Sequence, residues 1–437
     1  MRPDHLDDNR AAWLLELPPY ERLPPLGGDV VADIAVVGGG LTGVSTAWHL
    51  SLRFPDRRIV LLEARALANG ASGRNGGQVL NWINGVEPRQ PAMLRRVYET
   101  TRRGIDLVET LAAASALDAG FARDGCLEVC TTARSADAAE QRVARWAQWG
   151  VPLRWLPRSA VGVHGAHGAV LDPSAGRVNA AALLRGLRPT LLARGVGLYE
   201  QTPVTRIDDG ATLTLHTPGG AVRAPLVVLA TNAYTPQLGF FRHGILPLHS
   251  HVVATNPLPP ARWAAMGWGA HAGFSDDLDR IAYGCRSPGG RLVFGGGDNA
   301  AYSYRFGSSP VFGDAARAAP ACAAIERRLR GYFPGLVGEP IAQRWSGPLA
   351  ITFDRICSMG VTGPHRNVYY ALGYSGHGLA LAALAGEVLS DLYAGNHEPW
   401  RDLPFYQKAL PYIPPEPLRW IGYQAYTRLT GRSPRRR

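Results

Sequence analysis

Short apolar runs and helical patterns alternate along the first part of the chain. Residues 33–37 (DIAVV) and 58–63 (RIVLLE) are apolar without regular polar alternation, a pattern typical of parallel strands that are covered on both faces. Between them, residues 44–52 carry apolar side chains at helical spacing, directly after the glycine-rich break GGGLTG. The pattern predicts a strand–helix–strand unit of roughly thirty residues, the size of one βαβ crossover.

The same two patterns recur further along the chain. Helices are predicted over residues 91–122, 139–149, 178–194 and 379–393. Short strands are predicted over residues 196–200, 202–207, 226–230, 247–255, 291–296 and 368–373. The strands of parallel type fall at the beginning, middle and end of the chain, and two stretches of different character interrupt them. This order predicts a discontinuous nucleotide-binding domain with an inserted second domain.

Composition narrows the class of protein. The 437 residues are 46% hydrophobic and 19% charged, with 51 Gly and 34 Pro. These values describe a turn-rich globular chain and exclude disordered, collagen-like and coiled-coil proteins. The net charge is +11, and Lys408 is the one lysine in the sequence. The arginines are scattered apart from the basic cluster between Arg432 and Arg437, so we expect a solvated basic face and no nucleic-acid partner.

Five cysteines are spread thinly and do not combine with histidines at zinc-ligand spacing. They predict buried free thiols in a reducing compartment and no metal site. The N-terminal stretch MRPDHLDDNRAAW is polar and charged, unlike a signal peptide. No run reaches the ~18 apolar residues that a membrane span needs. We therefore expect a cytoplasmic protein without a membrane span.

The strongest chemical signal is a GxGxxG motif that follows a predicted strand and opens a predicted helix. Gly38 permits a tight turn, Gly40 lets the backbone approach a pyrophosphate, and Gly43 allows close helix–strand packing. Glu63 ends the next strand twenty residues after Gly43, where its carboxylate would accept hydrogen bonds from a ribose. The motif predicts a dinucleotide and, by itself, leaves NAD and FAD both open.

Three further loops favour FAD. Residues 71–78 (ASGRNGGQ) form a glycine-rich loop where an NAD dehydrogenase would usually continue into a helix. Such a loop can wrap the far end of a long cofactor. Residues 226–232 (LVVLATN) end a strand in small polar residues near the same sheet edge. Residues 373–378 (GYSGHG) open a second helix, whose N-terminus would stabilise negative charge on a reduced flavin ring.

With these loops the chain resembles the FAD-dependent amine and amino-acid oxidoreductases related to D-amino-acid oxidase and sarcosine oxidase. Within that family it is most similar to the gamma-glutamylputrescine oxidoreductase branch. The resemblance spans most of the chain in the family's order. It rests on ADIAVVGGGLTG (32–43), LLEA (61–64), GASGRNGGQV (70–79), VLATNAYTP (228–236), RLVFGG (291–296), RWSG (344–347) and LGYSGHGLALA (372–382).

The resemblance implies an α/β fold with a discontinuous, Rossmann-like FAD-binding domain and an inserted α+β substrate domain built on a mixed sheet. The expected FAD-binding segments are residues 28–90, 161–236 and 350–400. The expected substrate domain comprises residues 91–160 and 237–349. Residues 1–27 and 401–437 remain as an N-terminal and a C-terminal arm, and the role of the C-terminal arm is left open.

The resemblance also implies which residues contact FAD, with Val204 meeting the adenine through its backbone. The implied contacts are Gly38, Gly40, Leu41, Thr42, Gly43, Glu63, Ala64, Ser72, Gly73, Arg74, Asn75, Gly76, Gly77, Gln78, Val204, Ala230, Thr231, Asn232, Gly373, Ser375, Gly376, His377, Gly378 and Leu379. Relatives that attach FAD covalently use a cysteine at the position of Gly347, or a histidine near residues 70–78, which contain none. Cys357 lies too far along the chain to replace that cysteine, so we expect non-covalent FAD.

The implied reaction is oxidation of a C–N bond in a small amine or amino acid. Hydride passes to flavin N5, the imine hydrolyses, and oxygen or another acceptor reoxidises the flavin. The chemistry needs no protein nucleophile, so no catalytic residue is assigned. Candidates for the pocket wall are Gln78, His249, His251, Tyr283, Arg286, Arg344 and Trp345, and an arginine among them could pair with a substrate carboxylate.

Two other functions stay open on the sequence alone. An aromatic monooxygenase shares the N-terminal fingerprint, and Arg123-Asp-Gly125 is a faint match to one of its motifs. A flavin-binding accessory protein without turnover is the second alternative. Bleaching of the flavin by an amine would favour the oxidoreductase, whereas NADPH oxidation would favour the monooxygenase. The sequence leaves the amine, the choice between oxidase and dehydrogenase, and the oligomeric state undecided.

Overall fold

The computed structural model describes residues 11–269, 271–297, 299–304, 306–307 and 315–430. The helices are α1 (Ala12–Leu15), α2 (Leu41–Arg53), α3 (Pro91–Ala113), α4 (Ala133–Ala147), α5 (Ala180–Ala193), α6 (Pro260–Ala265), α7 (Ala315–Tyr332), α8 (Gly378–Tyr393) and α9 (Leu418–Thr430). The strands are β1 (Val30–Val31), β2 (Ile34–Val37), β3 (Ile59–Leu62), β4 (Gln78–Val79), β5 (Cys126–Cys130), β6 (Arg154–Pro157), β7 (Gly168–Asp172), β8 (Gly176–Arg177), β9 (Gly197–Tyr199), β10 (Arg206–Asp208), β11 (Leu213–Thr217), β12 (Gly220–Ala224), β13 (Leu226–Leu229), β14 (Leu246–Pro257), β15 (Gly273–Asp276), β16 (Ala282–Arg286), β17 (Arg291–Gly296), β18 (Tyr302–Ser303), β19 (Ile341–Ile351), β20 (Ser358–Thr362) and β21 (Val368–Leu372).

A six-stranded sheet in the order β20-β21-β13-β2-β3-β9 forms one layer of the molecule. All its pairings are parallel except the one between β20 and β21. Strands β2, β3 and β13 are buried along their whole length, which explains their unbroken apolar sequences. Helices α2 and α8 pack together on this sheet, where Ser45 donates a hydrogen bond to the Ala383 carbonyl. The predicted α/β core drawn from three distant segments is confirmed.

A second, mixed sheet has nine strands, in the order β18-β14-β17-β16-β15-β5-β7-β6, with β19 added on β14. Strands β14 and β19 form a long antiparallel ribbon from the Leu246–Ile351 pair to the Thr255–Ile341 pair. Strand β5 runs parallel to β15, while the other pairings are antiparallel. This is the mixed sheet that the resemblance implies. Strands β1, β12, β11 and β10 make a smaller sheet.

The predicted boundary after residue 160 does not coincide with a change of sheet. Strand β7 pairs with β5 and β6, so residues 168–172 lie in the mixed sheet and not, as predicted, with the FAD-binding segments. The predicted strand over residues 202–207 is reduced to β10, because the Thr202 amide donates to the Glu63 carbonyl at 2.8 Å instead of joining a ladder. Helix α4 begins six residues before its predicted start at 139, because Thr132 and Ser135 form a capping box there.

Both arms pack on the body of the protein in their described parts. In the N-terminal arm, Trp13 is buried and its Nε1 donates to the Asn75 carbonyl at 2.7 Å. In the C-terminal arm, Tyr423 of α9 is buried and its hydroxyl donates to the Tyr302 carbonyl at 2.9 Å. The basic cluster between Arg432 and Arg437 lies outside the described residues. Within the described ranges, none of the helices is both long and apolar enough to cross a bilayer.

Candidate active site and cofactor cavity

A cavity of about 1080 Å³ lies between the six-stranded sheet and the mixed sheet. On one side it is lined by the carboxyl ends of parallel strands, at Val37, Leu62 and Ala230. On the other side it is lined by β14, β16 and β19 of the mixed sheet. Ligands of open α/β sheets bind at the carboxyl ends of the strands, so the position of the cavity agrees with the predicted dinucleotide site.

The glycine motif closes the turn between β2 and α2. A Cβ on Gly43 would lie 1.9 Å from the Gly38 carbonyl oxygen, and Gly38 itself has a φ of +111°. Both positions require glycine, because Gly43 has no room for a side chain and Gly38 has a left-handed φ. Helix α2 begins at Leu41, so its first amides, which have no partner within the helix, lie at the cavity wall. Helix N-termini with such free amides are a common binding site for pyrophosphate in proteins.

Glu63 follows β3 and lines the same part of the cavity. Its carboxylate oxygens accept hydrogen bonds from the Gly39 amide at 2.6 Å and the Arg65 amide at 2.9 Å. Burial raises the pKa of Glu63 to about 7, although these two amides act in the opposite direction. The carboxylate therefore gains from further donors, and a ribose supplies two hydroxyls. Val204, the predicted adenine contact, also lines this end.

The glycine-rich loop of residues 70–78 is held in place by hydrogen bonds within the loop and by one to the start of α2. Ser72 Oγ accepts from the Leu41 amide at 2.9 Å, which fixes the loop to the start of α2. Asn75 Nδ2 donates to the Ser72 carbonyl at 2.5 Å, and Asn75 Oδ1 accepts from the Gly77 amide at 2.8 Å. Arg74 is buried, and its Nε donates to the Asn69 carbonyl. The loop is therefore fixed by contacts within the protein and forms part of the cavity wall.

The C-terminal glycine loop brings a second helix end to the cavity. Asn232 Oδ1 accepts a hydrogen bond from the Gly373 amide at 3.0 Å, which joins two of the predicted loops. Helix α8 then starts at Gly378, directly after His377. The hydroxyls of Tyr374 and Thr42 lie 2.7 Å apart and tie this loop to α2. Two helix N-termini, each with positive partial charge, therefore face one cavity.

Most of the predicted FAD contacts line the cavity. The exceptions are four glycines: Gly43 lies in the first turn of helix α2, and Gly73, Gly77 and Gly373 lie in the two glycine-rich loops. A glycine-rich turn, two helix N-termini and a partly buried acid along one cavity suit a dinucleotide with a ribose and a pyrophosphate. The residues present therefore fit FAD.

Two of the predicted substrate candidates face the cavity, namely Gln78 and Tyr283. The Tyr283 hydroxyl lies 3.2 Å from Ser250 Oγ, and both line the cavity. Burial raises the pKa of Tyr283 to about 12, so this hydroxyl is neutral at physiological pH. Gln78 Nε2 donates to the carbonyls of Phe274 and Gly284, which anchors its amide on the mixed sheet.

The other candidates do not line the cavity. Along β14 the side chains of Leu248 and Ser250 face the cavity, so His249 and His251 point to the other face of the sheet. His251 Nε2 lies 3.3 Å from Ser303 Oγ there. Alternation along β16 likewise turns Arg286 away from the Tyr283 face, and its guanidinium lies over the Trp263 ring.

Arg344 and Trp345 have structural partners instead of cavity positions. Arg344 has a half-exposed side chain and pairs with Glu326 at 2.7 Å on the surface. Trp345 is buried, and its Nε1 donates to the Arg74 carbonyl at 3.0 Å. Trp345 therefore supports the glycine-rich loop from behind.

Sequence reasoning missed several polar and aromatic residues that do line the cavity. One group joins the loop between β15 and β16 to the segment after β19 and to α9, and comprises Asp279, Arg280, Arg355 and Tyr426. Another group lies near β5 and α3 and comprises Trp82, Tyr98, Glu128, Arg142, Trp146 and Asp172. Residues 279 and 426 are far apart in sequence, and no local motif links them. A metal-binding group of histidine, cysteine and acidic side chains is not found among the described residues.

Comparisons with known proteins agree with this geometry. The family model DAO, described as FAD dependent oxidoreductase, matches residues 33–392. The chain is 28% identical to gamma-glutamylputrescine oxidoreductase of Escherichia coli strain K12, over 89% of this chain and 90% of that protein. It is 24% identical to glycine oxidase of Geobacillus kaustophilus, over 82% of this chain and 92% of that protein.

Solved structures show the same fold. The crystal structure of glycine oxidase from Geobacillus kaustophilus superposes with a TM-score of 0.73, covering 87% of this chain and 99% of that one at 22% identity. L-Proline dehydrogenase from P. horikoshii superposes with a TM-score of 0.68, covering 94% and 100% at 20% identity. The α/β architecture with its mixed sheet is therefore shared with both.

Proposed function

Because this chain belongs to the DAO family of FAD-dependent oxidoreductases, we propose that it oxidises a C–N bond in a substrate bound next to Tyr283 and Ser250. The enzyme uses FAD and acts on an amine or an amino-acid-like compound, as its relatives do. What the relatives leave open is where the substrate binds, how the flavin is held and which acceptor reoxidises it.

The observation that carries the proposal is the continuity of one cavity. It runs from Glu63 and the N-terminus of α2 to Ser250 and Tyr283 on the mixed sheet. In this proposal Glu63 and Val204 hold the adenosine end of FAD, and the pyrophosphate lies at the N-terminus of α2. The remaining space beside β14 and β16 is left for the substrate.

Bound FAD would supply a two-electron acceptor for the hydride on the carbon next to the substrate nitrogen. The protein contributes positioning and charge. The neutral hydroxyl of Tyr283, with Ser250 at 3.2 Å, offers a donor and an acceptor that orient the substrate nitrogen. The N-terminus of α8 at Gly378 stabilises negative charge that develops near it.

We propose that FAD is bound without a covalent link. At the position where cysteine-linked relatives attach the flavin, Gly347 offers no side chain, and an added Cβ would lie 3.0 Å from Arg74 Cβ. Cys357 is buried away from the cavity, and burial raises its pKa to about 12, so it is not a thiolate. Acid denaturation should therefore release all the flavin into the supernatant. Flavin that stays with the precipitated protein would contradict this part of the proposal.

We also propose that the FAD-binding unit comprises residues 28–90, 173–236 and 350–400, with the mixed sheet as the substrate unit. The revised limit at 173 follows from the pairing of β7 with β5.

Cytoplasmic location is supported by the five cysteines, which are all buried and free. Oxygen or another soluble or bound acceptor reoxidises the flavin, and readmission of air tests whether that acceptor is oxygen.

The test is anaerobic titration of the FAD-loaded protein with a panel of amines, N-methyl amino acids and amino acids. We expect one substrate class to bleach the visible flavin bands, and readmitted air restores them if oxygen is the acceptor. NADPH serves as the control for the monooxygenase alternative and should leave the bands unchanged. A yellow protein that no member of the panel bleaches would refute the proposal.

A further inference from the structure

The N-terminal arm connects two parts of the molecule beside the glycine-rich loop of residues 70–78. Trp13 of helix α1 is 1% exposed, and its carbonyl accepts a hydrogen bond at 2.9 Å from Asn179 Nδ2, at the start of α5. Further along the arm, Glu16 Oε1 accepts at 2.6 Å from Ser287 Oγ, in the turn between β16 and β17. The arm is therefore fixed both to the proposed FAD-binding unit and to the mixed sheet.

Trp13 holds the glycine-rich loop at one peptide group. Its Nε1 donates to the Asn75 carbonyl at 2.7 Å. Its ring packs on Gly77, because a Cβ added to Gly77 would lie 2.5 Å from that ring. Asn75 and Gly76 line the cavity, whereas Trp13 does not. Trp13 therefore contacts the loop from the side away from the cavity.

The peptide between Asn75 and Gly76 has its two polar groups on opposite sides. In a planar trans peptide, the carbonyl and the following N–H point in opposite directions. The Asn75 carbonyl points to Trp13, so the Gly76 N–H points away from Trp13, toward the cavity that Gly76 lines. Within the described part of the chain, this N–H has no hydrogen-bond acceptor. A main-chain donor left open at a cavity wall is available to a ligand.

Gly76 lies at the end of the cavity that is proposed for the substrate. A Cβ added to Gly76 would lie 2.6 Å from the Tyr283 ring, so this part of the loop is in contact with Tyr283. The adenosine of FAD is proposed to lie at the other end, with Glu63 and Val204. The part of FAD that Gly76 would meet is therefore the flavin ring.

We propose that Trp13 is a positioning residue for the flavin, because it fixes the peptide that presents the Gly76 N–H as a hydrogen-bond donor to the flavin ring. The hydrogen bond from the indole also polarises this peptide, which makes its N–H a stronger donor. The family model begins at residue 33, so this contribution comes from a part of the chain that the family model does not cover. The inference rests on the proposed function, since that function places the flavin ring near Tyr283.

The direct test is Trp13→Phe, which keeps an aromatic ring against Gly77 and removes the N–H. We expect its affinity for FAD, measured by fluorescence titration of the apoprotein, to fall roughly tenfold. The visible flavin bands of the loaded variant should shift, because the donor to the ring is displaced. Parental FAD affinity or parental bands in the folded variant would refute the role of Trp13.

Trp400→Phe is the matched control. Trp400 is also a buried tryptophan, and its Nε1 donates to Asp391 Oδ2 at 2.8 Å, but neither of these residues lines the cavity. Each variant loses one buried indole hydrogen bond, so we expect similar decreases in the melting temperature of the apoprotein. FAD affinity and flavin bands should change only in Trp13→Phe. Equal changes in both variants would show that lost stability is the cause and would overturn the inference.

A measurement on the parent protein keeps the inference testable if Trp13→Phe does not fold. The chain contains three Asn–Gly pairs, at residues 69–70, 75–76 and 84–85. Asparagine labelled with 13C at its main-chain carbonyl and glycine labelled with 15N therefore leave three amide signals in a carbonyl-selected NMR spectrum. Serine substitutions at Asn69 and Asn84 assign the signals, since each removes one of them.

The signal of Gly76 then reports on the proposed donor. On addition of FAD to the apoprotein, its amide hydrogen should exchange with solvent roughly tenfold or more slowly, because the N–H gains an acceptor. An exchange rate that FAD leaves unchanged would overturn the inference.

These measurements separate the inference from the proposed function. If Trp13→Phe weakens FAD binding and shifts the bands, but no amine or amino acid bleaches the parent protein, the proposed oxidation is wrong and the role of Trp13 stands. If a substrate bleaches the parent protein and Trp13→Phe keeps the parental FAD affinity and bands, the oxidation stands and the role of Trp13 is wrong.

Discussion

The two ends of the cavity are built from different parts of the chain. The end proposed to hold the nucleotide, called the nucleotide end, is mostly main chain: Gly38, Gly40 and the first amides of α2 form its wall, and Ser72 fixes the loop opposite. The end proposed to hold the substrate, called the substrate end, is lined by side chains such as Tyr283 on a strand and Tyr426 on a distant helix. The nucleotide end should therefore be sensitive to shape, whereas the substrate end should be sensitive to the chemical identity of single groups.

The largest effect is expected from Gly43→Ala, which tests sensitivity to shape. The new Cβ would lie 1.9 Å from the Gly38 carbonyl oxygen, so helix α2 has to move away from the turn. We expect the purified protein to lose nearly all bound FAD and about 1–3 kcal/mol of unfolding free energy, measured by flavin absorbance and urea denaturation. Gly27→Ala is the control, because a Cβ added there would have nothing within 4 Å, and its FAD content should not change.

Glu63→Gln should produce the next largest effect, together with a change in pH dependence. The pKa of Glu63 is raised by burial from its ordinary value of 4.5 to about 7, so the folded protein without FAD holds this proton more tightly than the unfolded chain. Its contribution to stability is full below pH 4.5 and is lost as the pH rises towards about 7.

Ribose hydroxyls favour the ionised carboxylate of Glu63, so FAD should bind more tightly as the pH rises. We expect roughly a tenfold gain in FAD affinity between about pH 6 and about pH 8, measured by fluorescence titration of the apoprotein. The glutamine variant should bind FAD roughly tenfold more weakly at the higher pH and lack this dependence. A pH profile that is the same in both proteins would argue against the assigned contact.

Tyr283→Phe tests the substrate end with a single atom. The substitution keeps the ring, which packs closely on Gly76: a Cβ added to Gly76 would lie 2.6 Å from it. It removes only the hydroxyl next to Ser250. We expect kcat/KM to fall roughly tenfold with the FAD content unchanged, since one hydrogen bond to the substrate is lost. Tyr412→Phe is the control, because Tyr412 is exposed at the surface. Loss of FAD from Tyr283→Phe would show that the two ends are not separable.

Tyr426→Phe should give the smallest effect. The substitution removes the hydrogen bonds between the Tyr426 hydroxyl and both Asp279 and Arg355, but it leaves the charges of these two side chains in place. We expect KM for the best substrate to rise roughly three- to tenfold while kcat stays the same, in steady-state kinetics. A fall in kcat with unchanged KM would place Tyr426 in a different role.

The difference between the two ends also explains what the sequence can predict. The nucleotide end depends on residues close together in the chain, so the spacing of the glycine motif and Glu63 is enough to locate the turn and the acid at its wall. The substrate end depends on which face of a strand each residue occupies. In LPLHSHV the residue types favour the histidines, but Ser250 between them faces the cavity, because a shift of one residue exchanges the two faces of a strand.

Contacts between residues that are distant in the chain also cannot be predicted from the sequence. Arg280 and Arg355 are ordinary arginines in a chain that is rich in arginine, and only the fold brings them to one carboxylate. Nothing local in helix α9 indicates that Tyr426 reaches the cavity, since its partners lie far away along the chain. The predicted boundary after residue 160 does not coincide with a change of sheet, because β7 continues the mixed sheet, and apolar strands of either sheet look alike in sequence.

The central position of β2 has a consequence for how the protein is made. Val37 pairs with Leu62 on one side and with Leu229 on the other. Helix α8, which covers the sheet, is synthesised after all of its strands. A ribosome has therefore synthesised almost the whole chain before this layer is complete, and such non-local pairing is slow. The flavin then binds as a late step in biogenesis, and a nascent chain arrested before residue 378 should emerge colourless.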